Sequence, residues 1–172
     1  LNMRNKKIFV QNVFDQVFDK YDLMNDIMSL GTHRLWKKQL MNWLSPTNNK
    51  KLLDMASGTG DLIKLFINHT NDNSQIYAVD QNTQMINIGK KKFRKYKNIH
   101  WKTGRAEKLN FKDNFFDYYT ISFGIRNVSN INSTLKEAYR VLKPGGRFMC
   151  LEFSKIENNH LNKLYNLYSR NI

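Results

Sequence analysis

The loop Asp54–Gly60 is the first part of the chain whose residue types suggest chemistry. It begins at the end of the short apolar segment Lys51–Met55 and includes the last two residues of that segment. Its glycines let the backbone turn sharply and approach a ligand closely. Open parallel sheets bind ligands outside the carboxyl ends of their strands, where such a loop lies. The loop lacks the third glycine of a pyrophosphate-binding sequence, because Ile63 stands in that place. It also lacks the Gly-Lys-Ser/Thr sequence of an NTPase. The residues expected to approach a phosphate-free ligand are Asp54, Gly58 and Gly60.

Asp80 strengthens this prediction because it ends the next apolar segment, Gln75–Asp80, 20 residues beyond Gly60. An acid at this point of a nucleotide-binding sheet accepts hydrogen bonds from the ribose hydroxyls. The alternative is that Asp80 begins and caps the next helix. Asn82 and Thr83 are also capping residues, however, and would leave Asp80 to the ligand. An amino-acid moiety and a ribose without phosphate are parts of S-adenosylmethionine (SAM), so SAM is the expected ligand.

Two further strand ends are predicted to reach the same cleft. Gly104–Phe111 follows one predicted strand, and the backbone groups of Arg105 and Ala106 are placed to contact the edge of an adenine ring. Ser122–Asn127 ends the next predicted strand and would close the cleft. Polar groups that converge on one cleft predict a binding site better than any single motif does.

The elements that must position these residues alternate between strand and helix from residue 50 onward. This alternation predicts an α/β fold with a doubly wound, mostly parallel sheet, similar to the Rossmann fold. The predicted strands are Lys51–Met55, Gln75–Asp80, Ile99–Thr103, Phe116–Phe123 and Arg147–Phe153. The predicted helices of this region and of the segment before it are Leu35–Leu44, Asp61–Asn68, Thr83–Tyr96 and Ile131–Leu142.

A further helical segment precedes these elements, because apolar residues recur with helical spacing from Val10 to Tyr21. We expect a single domain over 1–172, with 1–46 as a helical lid or substrate segment and 47–172 as the cofactor-binding core. A sheet of this kind normally continues with another helix and an antiparallel pair of strands. We therefore expect the core to be truncated at its C-terminus.

Composition narrows the class of protein. The 172 residues are enough for one domain with a real core, and a hydrophobic content of 41% is too high for a disordered chain. The single cysteine, Cys150, excludes a disulfide framework and fits a reducing compartment. The formal net charge of +14 includes a basic cluster at 90–97. This charge indicates either a compositional bias with solvated faces or a basic surface for nucleic acid or an anionic membrane.

Six motifs together resemble the UbiE family, the C-methyltransferases of ubiquinone and menaquinone biosynthesis. The motifs are Tyr21–Asp26, His33–Lys37, Ser57–Asp61, Ile121–Val128, Tyr139–Gly146 and Leu151–Lys155. The resemblance runs from about Val13 to Tyr168, and the first and fourth motifs distinguish this family from other SAM-dependent methyltransferases. It implies a Rossmann-like SAM-dependent methyltransferase. No metal is expected, because His69, His100 and His160 do not have the spacing of metal ligands.

The resemblance, carried over position by position, implies contacts with SAM from Thr59, Asp80, Arg105, Ala106 and Ser122. Ala56 stands where generic SAM loops often have a glycine, and Arg105 replaces the amide or acid that is common on the adenine side. A guanidinium cannot accept a hydrogen bond from the adenine amine. An adenine contact is therefore expected from the main chain or from stacking of Arg105.

The reaction implied by the resemblance is methylation of a ring carbon of a quinol. Loss of a hydroxyl proton raises the electron density on that carbon, and the site must orient the ring and stabilise the phenolate-like charge. Arg126 is expected to stabilise this charge or polarise a water, because its guanidinium stays protonated. Asn127 is expected to orient the ring oxygen, and Tyr21 to line the lid. Two alternatives stay open: Arg126 pairs with a nearby acid, and Tyr21 only completes the apolar stripe.

The implied substrate is a polyprenyl quinol, with the benzoquinol and the naphthoquinol both open. The implied partners are a membrane surface and a complex of quinone biosynthesis, with a homodimer left open and no nucleic acid expected. The expected location is the cytoplasmic face of the inner membrane in a bacterium or the matrix side of the mitochondrial inner membrane in a eukaryote. The helical stripe near Arg4, Lys6 and Lys7 either lies on a membrane or covers the substrate pocket.

Rival functions predict other sequence features. Methylation of a nucleic-acid base amine needs an Asp/Asn-Pro-Pro-aromatic element, which Ser122–Ile125 lacks, and cytosine carbon methylation needs a nucleophilic cysteine, whereas Cys150 is in the middle of a predicted strand. A methyltransferase acting on another phenol or a sterol stays open. So does a non-catalytic scaffold in a quinone-synthesis complex.

Overall fold

The computed structural model describes residues 32–71 and 73–153 of the chain. The chain divides into two compact units, Arg34–Glu152 and a unit formed by Leu1–His33 with Phe153–Ile172. The first unit contains the sheet and its helices. The predicted lid over 1–46 stays a prediction, because residues 1–31 lie outside the described ranges.

Strands and helices alternate along the described residues, as the sequence predicts, except that β4 follows β3 without a helix between them. The strands are β1 (Lys51–Met55), β2 (Gln75–Asp80), β3 (Ile99–Thr103), β4 (Phe116–Ser122) and β5 (Leu142–Leu151). The helices are α1 (His33–Leu44), α2 (Asp61–Ile67), α3 (Thr83–Lys92) and α4 (Ile131–Val141), and a 3₁₀ turn spans Ile125–Asn127.

The five strands form one parallel sheet in the order β3-β2-β1-β4-β5. The chain builds outward from β1 to β3 and then returns to β4 on the other side of β1. The strand order therefore reverses between β1 and β4, and open α/β sheets place their ligands in the crevice at such a point. The predicted fold class, a parallel α/β sheet with flanking helices, is confirmed.

Helices cover both faces of the sheet because successive residues of a strand point to opposite sides. Leu52 packs with residues of α1 and α2, and Leu53 packs with residues of α4. The first core includes Leu40, Met41, Leu44, Leu62, Ile63, Phe66, Ile76 and Tyr118. The second includes Met55, Val79, Phe116, Tyr119, Ile121, Ala138 and Val141. Burial of residues on both faces of β1, β2 and β4 explains why these three strands are mostly apolar.

The fifth strand begins earlier than the prediction Arg147–Phe153, which is wrong at both ends. β5 begins at Leu142 opposite Phe116, and the pairing resumes with Arg147 opposite Tyr118. The intervening 143–146 bulge out against a single residue of β4. Gly145 takes a φ of 77° there, and a Cβ on Gly146 would lie 2.9 Å from a backbone oxygen. The glycines therefore shape a bulge within the strand rather than a loop before it.

Two other predicted elements, a helix and a strand, extend too far at their C-terminal ends. The helix predicted to reach Tyr96 ends at Lys92, because Phe93 leaves helical geometry with a φ of −106°. The strand predicted to reach Phe123 ends at Ser122, because Phe123 has a left-handed φ of 54°. The basic cluster at 90–97 falls at and after the end of α3, and its lysines and arginine are exposed.

Gly89 brings α3 close to β3. A Cβ on Gly89 would lie well under 3.0 Å from the indole of Trp101, and a Cβ on Gly60 would lie 3.0 Å from the same indole. Glycine in a helix usually costs about 0.5–1 kcal/mol relative to alanine. At position 89 the close contact with Trp101 favours glycine over alanine instead.

We predict that Gly89→Ala lowers the free energy of unfolding by about 1–3 kcal/mol, because the added methyl overpacks the Trp101 contact. Urea unfolding measures the change. Asn87→Ala, at an exposed position of the same helix, is the control and should leave stability within about 0.5 kcal/mol or raise it slightly. An increase in stability for Gly89→Ala would contradict the close packing.

Candidate functional site

The loop after β1 has a backbone that is unusual for non-glycine residues. Ala56, Gly58 and Gly60 have φ values of 54°, 53° and 94°, all in the left-handed region. Glycine adopts this conformation freely, whereas for Ala56 it costs about 1–2 kcal/mol. The Ser57 amide donates a 3.1 Å hydrogen bond to the Val79 carbonyl, which ties the loop to β2. The loop is therefore held in a fixed and partly strained shape.

Asp80 ends β2 and its carboxylate joins two backbone segments. One oxygen accepts a 2.8 Å hydrogen bond from the Gly58 amide, and the other accepts one of 2.8 Å from the Asn82 amide. The Asn82 side chain caps α3 by accepting from the amides of Gln84 and Met85. The cap is thus Asn82 rather than Asp80. A carboxylate has about four acceptor positions, so Asp80 retains capacity for ribose hydroxyls.

Asp54 lies beneath the loop and is almost fully buried, with 2% exposed. Its Oδ1 accepts a 2.7 Å hydrogen bond from the Thr120 hydroxyl on the neighbouring strand β4. Burial raises the pKa of Asp54 to about 7, although the Thr120 hydrogen bond and the charge of Lys37 act in the opposite direction. Asp54 therefore exchanges its proton near neutral pH.

Lys37 on α1 is a site residue that the sequence analysis missed. It is buried, its Nζ lies 2.9 Å from an oxygen of Asp61, and the same Nζ lies 5.9 Å from the centre of the Phe123 ring. Burial would raise the pKa of Asp61, but Lys37 and Lys92 outweigh it and lower that pKa. Lys37 shares the buried face of α1 with Leu40, Met41 and Leu44. That i, i+3, i+4, i+7 spacing was the available signal.

The segment that follows β3 contains a buried residue, Ala106, and an exposed polar residue, Arg105, at the rim of the cleft. Ala106 is fully buried behind the end of β3. The Arg105 side chain is 59% exposed and points to the rim, where its guanidinium donates a 2.7 Å hydrogen bond to Ser129 Oγ and lies 3.5 Å from Glu107. The main chain at Arg105 and Ala106 therefore lies closer to the buried end of β3 than the Arg105 guanidinium does. The adenine contacts of both residues stay predictions.

Two hydroxyl groups at the loop are buried without a hydrogen-bond partner among the described residues. They are Ser57 Oγ in the loop and Ser122 Oγ at the end of β4. Buried polar atoms are almost always paired, so unpaired ones next to a glycine loop are consistent with a ligand. A Cβ on Gly58 would meet nothing within 4 Å, which shows open space over the loop, and Thr59 beside it is buried. These residues fit a nucleoside that carries an amino-acid moiety.

The 3₁₀ turn after β4 carries Arg126 and Asn127. The Arg126 guanidinium lies 3.4 Å from Glu152 Oε1, and the Arg126 amide donates a 3.4 Å hydrogen bond to Glu152 Oε2. Pairing with an acid, the alternative left open for Arg126, is therefore present. Asn127 is exposed, and its amide closes the turn on the Gly124 carbonyl at 3.1 Å. Tyr21 lies outside the described residues.

Neither a metal site nor a membrane-spanning helix is found in the described part of the chain. No group of three or more His, Cys, Asp or Glu residues within 32–71 and 73–153 is arranged to hold a metal ion. Each helix in these ranges is too short or too polar to cross a bilayer.

Gly124 makes room for the strained Ala56. A Cβ on Gly124 would lie well under 3.0 Å from the Ala56 Cβ, so only one of the two positions can carry a side chain. Ala56 stands where a generic SAM loop has glycine, and the missing Cβ of Gly124 compensates for it. The two positions are sterically coupled, although they lie 68 positions apart in the sequence.

We predict that Gly124→Ala destabilises the fold by about 1–3 kcal/mol and that adding Ala56→Gly restores most of the loss. Ala56→Gly alone should stabilise by up to about 1 kcal/mol, because glycine tolerates the left-handed φ. Urea unfolding of the four proteins in this double-mutant cycle gives the coupling energy. Additive effects of the two substitutions would show that the steric coupling does not exist.

Comparisons of the sequence with known proteins find close relatives. A sequence model of the ubiE/COQ5 methyltransferase family matches residues 2–172. The ubiquinone/menaquinone biosynthesis C-methyltransferase UbiE of Ruegeria sp. is 50% identical over 95% of this chain and 66% of its own length. The mitochondrial 2-methoxy-6-polyprenyl-1,4-benzoquinol methylase of Dictyostelium discoideum is 44% identical over 100% of this chain and 65% of its own length. The chain thus spans about two thirds of these relatives.

The fold is also shared with a solved structure, that of a SAM-dependent methyltransferase from Aquifex aeolicus. It has a TM-score of 0.64 at 22% identity, covering 72% of this chain and 66% of that one. At this identity the likeness shows the fold alone. The family assignment rests on the sequence match, which extends over nearly every residue. The chain belongs to the ubiE/COQ5 methyltransferase family.

Proposed function

We propose that the protein transfers a methyl group from SAM to a ring carbon of a polyprenylated quinol. The observation that carries the proposal is the loop after β1, where the Gly58 amide is bound by Asp80 and the Ser57 and Ser122 hydroxyls lack partners among the described residues. Relatives named as C-methyltransferases of ubiquinone and menaquinone biosynthesis support the reaction class.

SAM supplies an electrophilic methyl group on a sulfonium. In the proposed complex, the carboxylate of Asp80 accepts hydrogen bonds from the ribose hydroxyls while it continues to hold the Gly58 amide. Thr59, Gly60 and the hydroxyl of Ser122 line the space over the loop. The backbone at Arg105 and Ala106 binds the adenine edge. Asp54 contributes negative charge beneath the methionine part.

Arg126 is the proposed stabiliser of the quinol oxygen. It follows β4, whose neighbour β1 leads into the SAM loop, so its guanidinium lies at the same edge of the sheet. A positive charge fixed beside the oxygen stabilises the phenolate-like charge that develops before methyl transfer. Asn127 next to it is proposed to orient the ring oxygen, and Tyr21 to line the pocket.

The proposed substrates are a polyprenyl benzoquinol and a demethylmenaquinol, because the relatives carry names for both pathways. A prenylated substrate is extracted from a membrane, so the proposed partners are a membrane surface and other enzymes of quinone synthesis. The proposed location is the cytoplasmic face of the inner membrane in a bacterium or the matrix side of the inner membrane in a mitochondrion. The Dictyostelium relative is named as mitochondrial.

We predict that the protein methylates a short-chain demethylated quinol with labelled SAM and that Arg126→Ala lowers kcat by at least about a hundredfold, as expected for loss of an oxyanion stabiliser. Titration calorimetry should give a SAM Kd within about twofold of that of the unchanged protein. Arg94→Ala, at an exposed basic position after α3, is the control and should keep full activity.

Three outcomes would contradict parts of this proposal. Absence of SAM binding would favour the scaffold function. SAM binding with methylation of RNA or DNA but of no quinol would favour a nucleic-acid substrate. Near-normal turnover of Arg126→Ala would remove Arg126 from the mechanism.

Asp54 gives a second prediction, which concerns protons. Without a ligand its pKa is raised to about 7 by burial, so a large fraction is neutral at pH 6.5. SAM carries a net positive charge, which favours the ionised carboxylate and lowers this pKa. SAM binding should therefore release part of a proton at pH 6.5, and SAM affinity should rise between pH 6 and pH 7. Calorimetry in two buffers with different ionisation enthalpies measures the release.

The control for this prediction is Asp54→Asn, which should bind SAM with less proton release. The same variant also tests how the ionisation of Asp54 changes the free energy of unfolding with pH. The folded state holds this proton more tightly than the unfolded state, whose pKa is near 3.8, so ionisation of Asp54 reduces stability as pH rises from about 4 to 7. Asp54→Asn should lose that decline. Identical proton release by both proteins would contradict the assignment.

A further inference from the structure

The proposed SAM site has acids for two parts of the ligand but no cation for the carboxylate of its methionine end. Asp80 is proposed for the ribose hydroxyls, and Asp54 contributes negative charge beneath the methionine part. A carboxylate that is buried without a partner is expensive, so a positively charged side chain is expected nearby. Within the described ranges 32–71 and 73–153, Lys37 is the only lysine or arginine that is buried.

The position of Lys37 on α1 brings its ammonium to the loop after β1. Its Nζ lies 2.9 Å from an oxygen of Asp61, and Asp61 directly follows Gly60 of the loop. The same Nζ lies 5.9 Å from the centre of the Phe123 ring, and Phe123 directly follows β4. Burial raises the pKa of Asp54, and the positive charge of Lys37 opposes that rise. The ammonium therefore acts at the ends of both strands that flank the cleft.

The ammonium of Lys37 has hydrogen-bond donors that the protein does not use. A lysine has three N–H donors, and within the described part of the chain Lys37 donates one hydrogen bond, to Asp61 Oδ2. The Phe123 ring stands near the outer limit of a cation–π contact, about 6 Å. The Lys37 side chain is only 11% exposed, so few water molecules can reach it. Buried polar groups are almost always paired, and unused donors on a buried cation therefore indicate an anionic ligand.

The charges around Asp61 also favour an anion. Its carboxylate is shared by the ammonium groups of Lys37 at 2.9 Å and of Lys92 at 3.4 Å. Two positive charges against one negative charge leave a net positive charge at this point. Lys92 is exposed and solvated by water, whereas Lys37 is buried. An anion that enters the cleft is therefore attracted to Lys37.

Lys37 and Asp54 together match the two charges of an amino acid. The ammonium of a methionine group is attracted to the Asp54 carboxylate, and its carboxylate is attracted to Lys37. The Ser57 hydroxyl, which is buried without a partner among the described residues, offers a further hydrogen bond at the same loop. A Cβ on Gly58 would meet nothing within 4 Å, so there is space over the loop for this group.

We propose that the Lys37 ammonium binds the carboxylate at the methionine end of SAM. This inference rests on the SAM binding of the proposed function and is independent of the quinol. Asp61 holds the Lys37 side chain in place and does not itself contact the ligand. The helix α1, which precedes the sheet, thereby contributes a side chain to the SAM site.

The test compares SAM with decarboxylated SAM, which keeps the nucleoside, the sulfonium and the amine but lacks the carboxylate. In titration calorimetry the unchanged protein should bind SAM at least about thirtyfold more tightly, as expected for a buried charge pair. Lys37→Met removes the ammonium but keeps a side chain of similar length, and it should weaken SAM binding at least about tenfold. Decarboxylated SAM should bind to this variant no more weakly than to the unchanged protein, because the repulsion between two cations is removed.

Three matched variants separate ligand binding from a structural role. Asp61→Asn breaks the same 2.9 Å ion pair but keeps the ammonium, so it should retain a preference for SAM of at least about tenfold. Lys38→Met, at the next and exposed position of α1, should leave both Kd values within about twofold. Lys37→Gln can still donate to Asp61 and should lose the preference for SAM, which covers the case in which Lys37→Met does not fold.

Equal weakening of SAM and decarboxylated SAM by Lys37→Met would show that Lys37 only supports the loop, and would overturn the proposed contact. So would an unchanged preference for SAM in the folded Lys37 variants, even if their turnover falls. Absence of SAM binding by the unchanged protein would overturn the proposed function and the role of Lys37 together. SAM binding without quinol methylation would overturn the quinol substrate alone, and the preference for SAM would still decide the role of Lys37.

Discussion

The hydrogen bond between the Gly58 amide and the Asp80 carboxylate is the interaction on which the rest of the site depends. It joins the loop after β1 to the end of β2 at 2.8 Å. The loop needs such fixing because three of its residues are in the left-handed region, and one of them is Ala56. A strained conformation persists only where its surroundings over-determine it. The bond from Ser57 to Val79 and the space left by Gly124 complete that restraint.

Charge is distributed around this loop in a way that reduces the cost of burial. Burying an unpaired carboxylate is expensive, and proteins often avoid the cost by shifting the pKa so that the group becomes neutral. Asp54 follows this rule, because its pKa of about 7 allows it to keep a proton in a buried position. Lys37 keeps its charge instead, because its ion pair with Asp61 offsets the cost of burying the ammonium group. A cationic ligand above Asp54 would exchange the proton for its own charge.

The sequence predicts the strands well because local signals define them. β1, β2 and β3 have the predicted bounds. β1 and β2 are short, mostly apolar runs between turn residues, and β3 follows the turn that ends α3. β5 does not, because its bulge depends on pairing with β4 and not on its own residues. Pro144-Gly145-Gly146 is typical of a turn, and nothing local distinguishes a turn before a strand from a bulge within it.

The site residues also differ in whether a local sequence signal identifies them or only their contacts in the fold do. Asp80 and the glycine loop are recognisable because their spacing follows from the fold. Lys37 pairs with Asp61, and Glu152 pairs with Arg126, in each case a residue distant in the sequence. A lysine on a helix is usually solvated, and only its spacing with Leu40, Met41 and Leu44 indicates burial. Glu152 belongs to a motif that supports the resemblance, but its partner becomes evident only when β5 lies beside β4.

Arg105 shows how a departure from a common pattern can acquire a structural role. Its guanidinium binds Ser129 and lies near Glu107, and the Ser129 amide in turn donates to Glu107. Burial would raise the pKa of Glu107, but hydrogen bonds from its own backbone amide, from the Ser129 amide and from Arg105, together with the charge of Arg105, lower it. The arginine thus links the loop after β3 to the loop after β4. An amide or acid that bonded to the ligand could not also make this charged link. At this position the rim is held by the guanidinium, and we propose that the main chain recognises the adenine amine.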